Sequence, residues 1–118
     1  MPQCRISNPA RTDIVDILRH SQTQFGDQAR QRYQALILAA LQALADTPNR
    51  IGSHKRDELA PGLRSYHLVY SRQQAKHLHG TVKSPRHIVF YRVANDGVIE
   101  VVRLLHDAME VQLHLPND

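Results

Sequence analysis

The sequence lacks tryptophan and contains only two phenylalanines and four tyrosines. Its core must therefore be built mainly from the aliphatic side chains of Leu, Ile, Val and Ala. Cys4 is the one cysteine, which excludes a disulfide within the chain and favours a reducing compartment. No stretch approaches the ~18 consecutive apolar residues of a membrane span, and the N-terminal residues lack the apolar run of a signal peptide. We therefore expect a cytoplasmic protein without a membrane segment.

The length and charge narrow the possibilities further. A chain of 118 residues is long enough for one ordinary domain and too short for two, so we predict a single domain over residues 1–118. Lys and Arg outnumber Asp and Glu by 15 to 11, and eight histidines add positive charge as the pH falls. This modest excess favours an acidic partner, either a nucleic acid or an acidic protein segment.

Two amphipathic helices are predicted in the N-terminal half. Asn8-Pro9 is a helix-start signal, because Asn accepts a hydrogen bond from a free backbone N–H group and Pro has no N–H to satisfy. Apolar residues then recur every three or four positions until Gly26 favours a helix end. Asp27 is predicted to cap a second helix that ends at Thr47-Pro48. The first stripe comprises Ala10, Ile14, Ile17, Leu18, Ser21 and Phe25, and the second comprises Ala29, Tyr33, Leu36, Ile37, Ala40, Leu41 and Leu44.

Three strands are predicted in the C-terminal half. LRSYHLVY (63–70), RHIVFYRVA (86–94) and GVIEVVRLLH (97–106) are rich in β-branched and aromatic residues and are bounded by turn residues. Asn95-Asp96-Gly97 joins the last two strands at hairpin distance, which predicts an antiparallel pair. The segment at 49–62 has no sustained period and is predicted to be a loop.

The last predicted strand changes to a helical period at His106-Asp107. Asp107 and Glu110 have the spacing of a capping box, which predicts a short C-terminal helix that buries Met109 and Leu113. The order of elements predicts an α+β fold, in which an N-terminal helical hairpin packs on one face of a small curved antiparallel sheet. We expect the other face of that sheet to remain open for a partner.

The order of these motifs resembles the RelE/ParE toxin superfamily of bacterial type II toxin-antitoxin modules, and within it the ParE branch. The resemblance rests on a strand candidate at 4–7, the helical hairpin, GLR at 62–64, YRV at 91–93, the DG turn and RLLHD at 103–107. It covers nearly the whole chain. The connection SRQQAKHLHGTVKSP at 71–85 is longer than in minimal members and resembles the longer ParE-like subgroup.

Resemblance to ParE implies the toxin of a type II toxin-antitoxin, or plasmid stabilisation, module that inhibits DNA gyrase by binding, with no active site, cofactor or metal. It further implies a ParD-like antitoxin whose acidic amphipathic C-terminal segment wraps the helical hairpin. Exposed strand edges are compatible with a toxin homodimer or a toxin-antitoxin heterotetramer. The candidate contacts with the target or the antitoxin are Arg64, Arg92, Arg103, His106, Met109 and Leu113.

The alternative function is that of a RelE-like, ribosome-dependent mRNA endonuclease. RNA cleavage needs a base, an acid and cations for the phosphate, and His106 with Arg64 and Arg103 supplies these residue types. Some ribosome-dependent RNases of the superfamily place a catalytic histidine where His106 ends the last strand. However, Arg103 and His106 are an odd number of residues apart and would point to opposite faces of an unbroken strand. No tyrosine follows Tyr91, and a histidine at such a junction more often packs at the strand end than catalyses.

The long connection carries two further candidate sites. A basic set in and beside it could follow a phosphate backbone, although no aromatic residues are interleaved for base stacking. His77 and His79, with His87 nearby, have the H-x-H spacing of metal ligands. No Cys or carboxylate completes a recognisable ligand set, so we expect solvated histidines and no metal. The basic set comprises Arg72, Lys76, Lys83 and Arg86.

Overall fold

The computed structural model describes residues 4–75, 80–109, 111 and 114–115. These residues form two α-helices and a five-stranded sheet, which is an α+β fold. The strands are β1 (Cys4–Ile6), β2 (Ser53–Lys55), β3 (Arg64–His67), β4 (His87–Val93) and β5 (Ile99–His106), and the helices are α1 (Asn8–Phe25) and α2 (Asp27–Asp46). Neither helix is long and apolar enough to cross a membrane within the part of the chain described.

The predicted helical hairpin is present, with small differences at its ends. The cap of α1 is Ser7, whose hydroxyl accepts a hydrogen bond from the Ala10 N–H at 3.1 Å, so the helix begins one residue earlier than the Asn8 cap predicted. Gly26 separates the helices with a φ of 95°, a conformation that favours glycine. Asp27 lies in the first turn of α2 and does not cap it, because Gly26 occupies the cap position. The Asp27 carboxylate instead accepts hydrogen bonds from the side chains of Arg30 and Gln31.

The sheet is mixed, whereas the sequence predicted an antiparallel one. Its strand order is β1-β5-β4-β3-β2, and β1 pairs with β5 in parallel, from Cys4 opposite Ile99 to Ile6 opposite Val101. The remaining neighbours are antiparallel, including the β4–β5 hairpin predicted from the Asn-Asp-Gly turn. A bulge occurs where Phe90 pairs with Arg103 and Tyr91 with Val101, which leaves Val102 as the extra residue of β5.

Two predicted boundaries in the middle of the chain are wrong. The loop predicted at 49–62 contains β2, which forms an edge of the sheet beside β3. The long strand predicted at 63–70 ends at His67, and a 3-10 helix follows at Leu68–Ser71. The His67 side chain caps this helix by accepting a hydrogen bond from the Val69 N–H at 3.0 Å, which ends the extended conformation.

The main core lies between the helices and the first face of the sheet. Six residues of α2 are buried there, and all six belong to the predicted stripe. Helix α1 contributes less, because only Ala10 is fully buried while Ile14, Ile17 and Leu18 are partly buried. Phe25, which was predicted to continue the stripe, is 75% exposed at the C-terminal end of α1. The sheet supplies Tyr66, Val89, Tyr91, Ile99, Val101 and Leu104 to this core, and the 3-10 helix adds Leu68.

The second face of the sheet is covered by the protein itself, so the prediction that it remains open is wrong. Phe90 and Leu105 are buried on this face against Ala60 and Leu63, which come from the segment before β3. The partly buried residues packed against this cluster are Leu59, Ile88, Val102, Val111 and Leu115. This second cluster forms because the segment before β3 and the C-terminal tail both fold back over the sheet.

The period change at the end of β5 is a sharp turn. The strand ends at His106, and the Met109 N–H donates to the His106 carbonyl at 3.0 Å. Glu110 and Leu113, on which the predicted capping box and C-terminal helix depend, lie outside the described residues.

Candidate functional site

A carboxylate at the end of the sheet joins three chain segments. Asp107 follows β5, and its Oδ2 lies 3.0 Å from Nε2 of His67 on β3. The guanidinium of Arg86, immediately before β4, donates to Asp107 through Nε at 3.0 Å and Nη2 at 2.9 Å. These hydrogen bonds, Arg86 first, hold the Asp107 pKa at about 2. Asp107 is therefore an ionised anchor at neutral pH.

Three histidines surround this carboxylate, and each has an occupied Nδ1 atom. Nδ1 of His67 accepts the Val69 N–H, and Nδ1 of His106 accepts the Ala108 N–H at 3.1 Å. The His87 and His106 rings meet edge to face with centroids 5.4 Å apart. Since a backbone N–H can only donate, His67 and His106 carry their proton on Nε2 when they are neutral.

The third histidine is hydrogen-bonded to helix α2. The Tyr33 hydroxyl accepts the Arg86 backbone N–H at 3.2 Å and is left with its proton to donate to Nδ1 of His87. Burial, and then the neighbouring His106, lowers the His87 pKa to about 4, and burial raises the Tyr33 pKa to about 12. Both groups are therefore neutral at physiological pH, which suits a structural link better than proton transfer.

The arginines proposed with His106 for RNA cleavage have other partners. Arg103 donates to both oxygens of Asp13 on α1, at 2.7 and 2.9 Å, and to the His114 carbonyl at 2.6 Å. Asp13 also accepts the Leu104 N–H on the part of β5 that β1 does not cover. Arg103 thus connects the strand, the first helix and the tail.

Arg64 lies at a different place on the sheet. Its Nε donates to the Ser53 hydroxyl at 2.9 Å, and Ser53 is also hydrogen-bonded to Tyr91. Arg64 pairs with Tyr91, whereas His106 pairs with His87, four residues away on β4. That separation is about 13 Å at the rise of a strand. Arg64 and His106 therefore do not face one common phosphate.

The other predicted contact residues are spread over the surface. Arg92 lies on β4 opposite Glu100, and Met109 is 44% exposed after the turn that follows β5. Arg72 and Lys83 lie together, since Nη1 of Arg72 donates to the Lys83 carbonyl at 2.7 Å. Lys76 and Leu113 lie outside the described residues, as do His77 and His79. In the described part of the chain, no three His, Cys, Asp or Glu residues are placed to hold a metal ion.

A second candidate site is an apolar groove lined by both helices of the hairpin and by the end of β1. It has a volume of about 310 Å³ and an exposed rim formed by Val15, which is 52% exposed, and Leu38, which is 59% exposed. Ile37 and Leu41 of α2 are buried beneath it. We call this the hairpin groove, and its lining residues are Ile6, Arg11, Ile14, Val15, Leu18, Gln34, Ile37, Leu38 and Leu41.

Sequence reasoning missed the partners that fix these residues. Asp13 was not singled out, although it binds Arg103 from 90 residues away. Tyr33 was predicted only as a core residue, and His67 was not considered. Tyr33 carries a hydroxyl in an otherwise aliphatic stripe. This was a signal for a hydrogen bond, because a buried hydroxyl needs a partner. No comparable local signal distinguishes Asp13 from other surface carboxylates.

Comparison with known proteins gives evidence about the family of the chain that is independent of this geometry. Residues 4–111 match the family described as the ParE toxin of the type II toxin-antitoxin system, parDE. The chain is 30% identical over 117 residues to Toxin ParE1 of Caulobacter vibrioides, which covers 98% of this chain and 99% of that protein. It is 28% identical over 110 residues to Toxin ParE1 of Mycobacterium tuberculosis, covering 93% and 94% of the two chains. The protein therefore belongs to the ParE toxin family of type II toxin-antitoxin systems.

Proposed function

We propose that this ParE-type toxin inhibits DNA gyrase by binding to it, and that a ParD-like antitoxin neutralises the toxin by docking a helical segment in the hairpin groove. The observation that carries the antitoxin part is the exposed apolar rim of that groove. A partner that covers exposed side chains such as Val15 and Leu38 stabilises the complex by about 25 cal/mol per Å² of apolar surface buried. Both encounters would take place in the cytoplasm.

The lining residues determine what kind of segment fits the groove. Gln34, Ile37, Leu38 and Leu41 recur at helical spacing along α2, so they form one continuous ridge. A partner helix with apolar residues at i, i+3, i+4 and i+7 would lie along such a ridge. Arg11 is exposed at the groove, which favours a carboxylate on the partner at that position.

Inhibition by binding fits the partners of the predicted catalytic residues. Arg103 is held by Asp13, Arg64 by Ser53, and the two histidines nearest Asp107 have their Nδ1 atoms occupied by backbone N–H groups. A nuclease would have to rearrange these contacts to bring Arg64 and Arg103 to one phosphate beside His106. A binding toxin needs no such change. The family of the chain supports the same conclusion.

The antitoxin part is tested with Val15→Asp and Leu38→Asp, assayed for binding of the protein encoded by the neighbouring reading frame. Phe25→Asp is the matched control, because Phe25 is an exposed apolar residue of the same hairpin that does not line the groove. We expect each groove variant to weaken binding roughly 30-fold or more, the size of an interface hot spot, and the control to bind like the wild type. Equal effects at all three positions, or none, would place the antitoxin elsewhere.

The target is tested by adding the purified toxin to gyrase supercoiling of plasmid DNA and, in parallel, to translating ribosomes. We expect inhibition of supercoiling with intact mRNA, and the same inhibition by His106→Ala once its fold is verified. If mRNA is cleaved, supercoiling is unaffected and His106→Ala abolishes the cleavage, the protein is instead an endonuclease that uses His106.

A further inference from the structure

Positive charge is concentrated in one continuous stretch of the sequence. Residues 59–95 contain six of the fifteen Lys and Arg and none of the eleven Asp and Glu. The rest of the chain carries nine Lys and Arg against all eleven carboxylates. The net charge of +4 therefore comes entirely from this stretch. The fold of the stretch determines whether its cations lie on one surface.

The structure brings three of these cations together. The hydrogen bond from Arg72 to the Lys83 carbonyl joins the two sides of the long connection. Arg86 follows three residues after Lys83, so the Cα atoms of the two residues lie within about 11 Å of each other even if the chain is fully extended. Lys83 and Arg86 are exposed, and the Arg86 side chain has 58% of its surface accessible. We call Arg72, Lys83 and Arg86 the basic patch.

The immediate surroundings leave the basic patch positive. Asp107 pairs with Arg86 and stays ionised at neutral pH, because its pKa is about 2. Set against the three cations, this carboxylate leaves a local charge of about +2 at neutral pH. A further cation borders the connection, since a Cβ atom built on Gly80 would lie 3.7 Å from Cδ of Arg32 on α2.

We propose that the basic patch binds the phosphate backbone of a nucleic acid without reading its sequence. Phosphate and sugar contacts are made by Arg and Lys together with small polar side chains such as Gln and Ser. The exposed neighbours of the patch are of that kind, namely Gln73, Gln74 and Ser84. Duplex DNA places one charge every ~3.4 Å along each strand, so the limit of about 11 Å between the Cα atoms of Lys83 and Arg86 corresponds to about three phosphate intervals.

An acidic protein segment fits the same surface less well. Protein interfaces depend on buried aromatic and apolar anchors at their centre. Among the described residues at 72–75 and 80–86, no large apolar side chain is exposed, and the exposed Val69 and Tyr70 lie in the short helix before Arg72. The hairpin groove, by contrast, combines exposed apolar residues with a single arginine. The two surfaces therefore suit different classes of partner.

The test measures binding to three labelled probes by fluorescence anisotropy at several salt concentrations. The probes are a 20-base-pair duplex DNA, a 20-nucleotide single-stranded RNA and a 20-residue polyglutamate. The loop variant is Arg72→Gln/Lys83→Gln/Arg86→Gln. The matched control is Arg5→Gln/Arg19→Gln/Lys55→Gln, which removes three exposed cations, one of them from a surface ion pair as at Arg86.

The expected result is a change in the salt dependence. Log K falls as log salt rises, and each lost phosphate contact makes this fall shallower, by about 0.9 in slope for duplex DNA and about 0.7 for a single strand. The slope of the loop variant should therefore be shallower than that of the wild type by about 2.7 with DNA, or by about 2.1 with RNA. Between 50 and 200 mM salt, the wild type should lose roughly forty-fold more affinity for DNA than the loop variant does. The control should keep the wild-type slope. The nucleic acid with the tighter patch-dependent binding identifies the source of the phosphates.

A charge-retaining variant separates lost contacts from lost folding. Arg72→Lys/Arg86→Lys keeps all three cations and should keep most of the slope, while circular dichroism verifies the fold of every variant. Equal losses in the loop variant and the control would show that only net charge matters and would overturn the proposal. Patch-dependent binding of polyglutamate but of neither nucleic acid would overturn it as well. None of these measurements uses gyrase or an antitoxin, so the result is independent of the proposed function.

Discussion

The neutral state of His87 should make the fold sensitive to acid. His87 packs against the His106 ring, and the groups whose charges act on it are His106, Asp107, His67 and His20. Burial lowers its pKa to about 4, whereas an unfolded histidine titrates near 6.5. The unfolded chain therefore binds the proton more readily. The contribution of neutral His87 to stability is complete above pH 6.5 and is lost as the pH falls toward 4.

The size of this loss follows from the difference between the two pKa values. At about 1.36 kcal/mol per unit, a change from 6.5 to about 4 corresponds to roughly 3 kcal/mol. This is an upper value, because the ring is only partly buried and water screens part of the charge. Asp107 acts in a lower window, since its contribution is present above pH 3.8 and is lost only as the pH falls toward about 2. Measurements between pH 7.5 and 4.5 thus leave out the contribution of Asp107.

The assay is urea unfolding followed by circular dichroism at several pH values, for the wild type and His87→Asn. Asn places a carbonyl oxygen close to the position of Nδ1, so the Tyr33 hydroxyl keeps an acceptor while the titrating group is removed. We expect the wild-type free energy of unfolding to fall by up to about 3 kcal/mol more than that of His87→Asn across this range. Parallel curves for the two proteins would refute the assignment of acid sensitivity to His87.

Two further substitutions test the contacts that fix the chain. Asp13→Ala removes both bonds to Arg103 from a mostly buried ion pair and should lower the free energy of unfolding by about 3 kcal/mol, measured with urea; a change below about 1 kcal/mol would contradict this. Gly52→Ala should destabilise more than Gly97→Ala: both glycines have positive φ, but a Cβ on Gly52 would lie 2.6 Å from Cγ of Tyr70, whereas one on Gly97 would meet nothing within 4 Å. The strain common to both should cost about 1 kcal/mol and the contact about 1–3 kcal/mol more, so equal melting temperatures for the two variants would count against the packing of Tyr70 on Gly52.

The helices and the β4–β5 hairpin could be predicted from the sequence because their signals are local. Periodicity correctly identified the buried face of α2, and the Asn-Asp-Gly turn identified an antiparallel pair. The same reasoning failed at Phe25, since periodicity indicates which residues share a helix face but not how far the packing partner extends. It also gave no orientation for β1, whose three residues pair with a strand more than 90 positions away.

The second face of the sheet shows a different limit. The residues that cover Phe90 and Leu105 come from an irregular segment and from the tail, and they share no period that would assign them to a layer. The tail residues Met109 and Leu113 were therefore predicted to contact a partner. Val111 and Leu115 instead contact the second cluster of the protein's own core. Any partner that binds this face would first have to displace them.

The interactions within the fold also change which residues are available to a partner. Arg103 was a reasonable candidate by residue type, but its guanidinium already binds a carboxylate and a carbonyl of the same chain. Breaking such a partly buried pair costs a partner free energy before any new contact is gained. Val15 and Leu38, by contrast, remain largely exposed, and a partner can bury them without breaking an ion pair. For a protein partner, these apolar residues are therefore better anchors than the ion-paired arginine of β5.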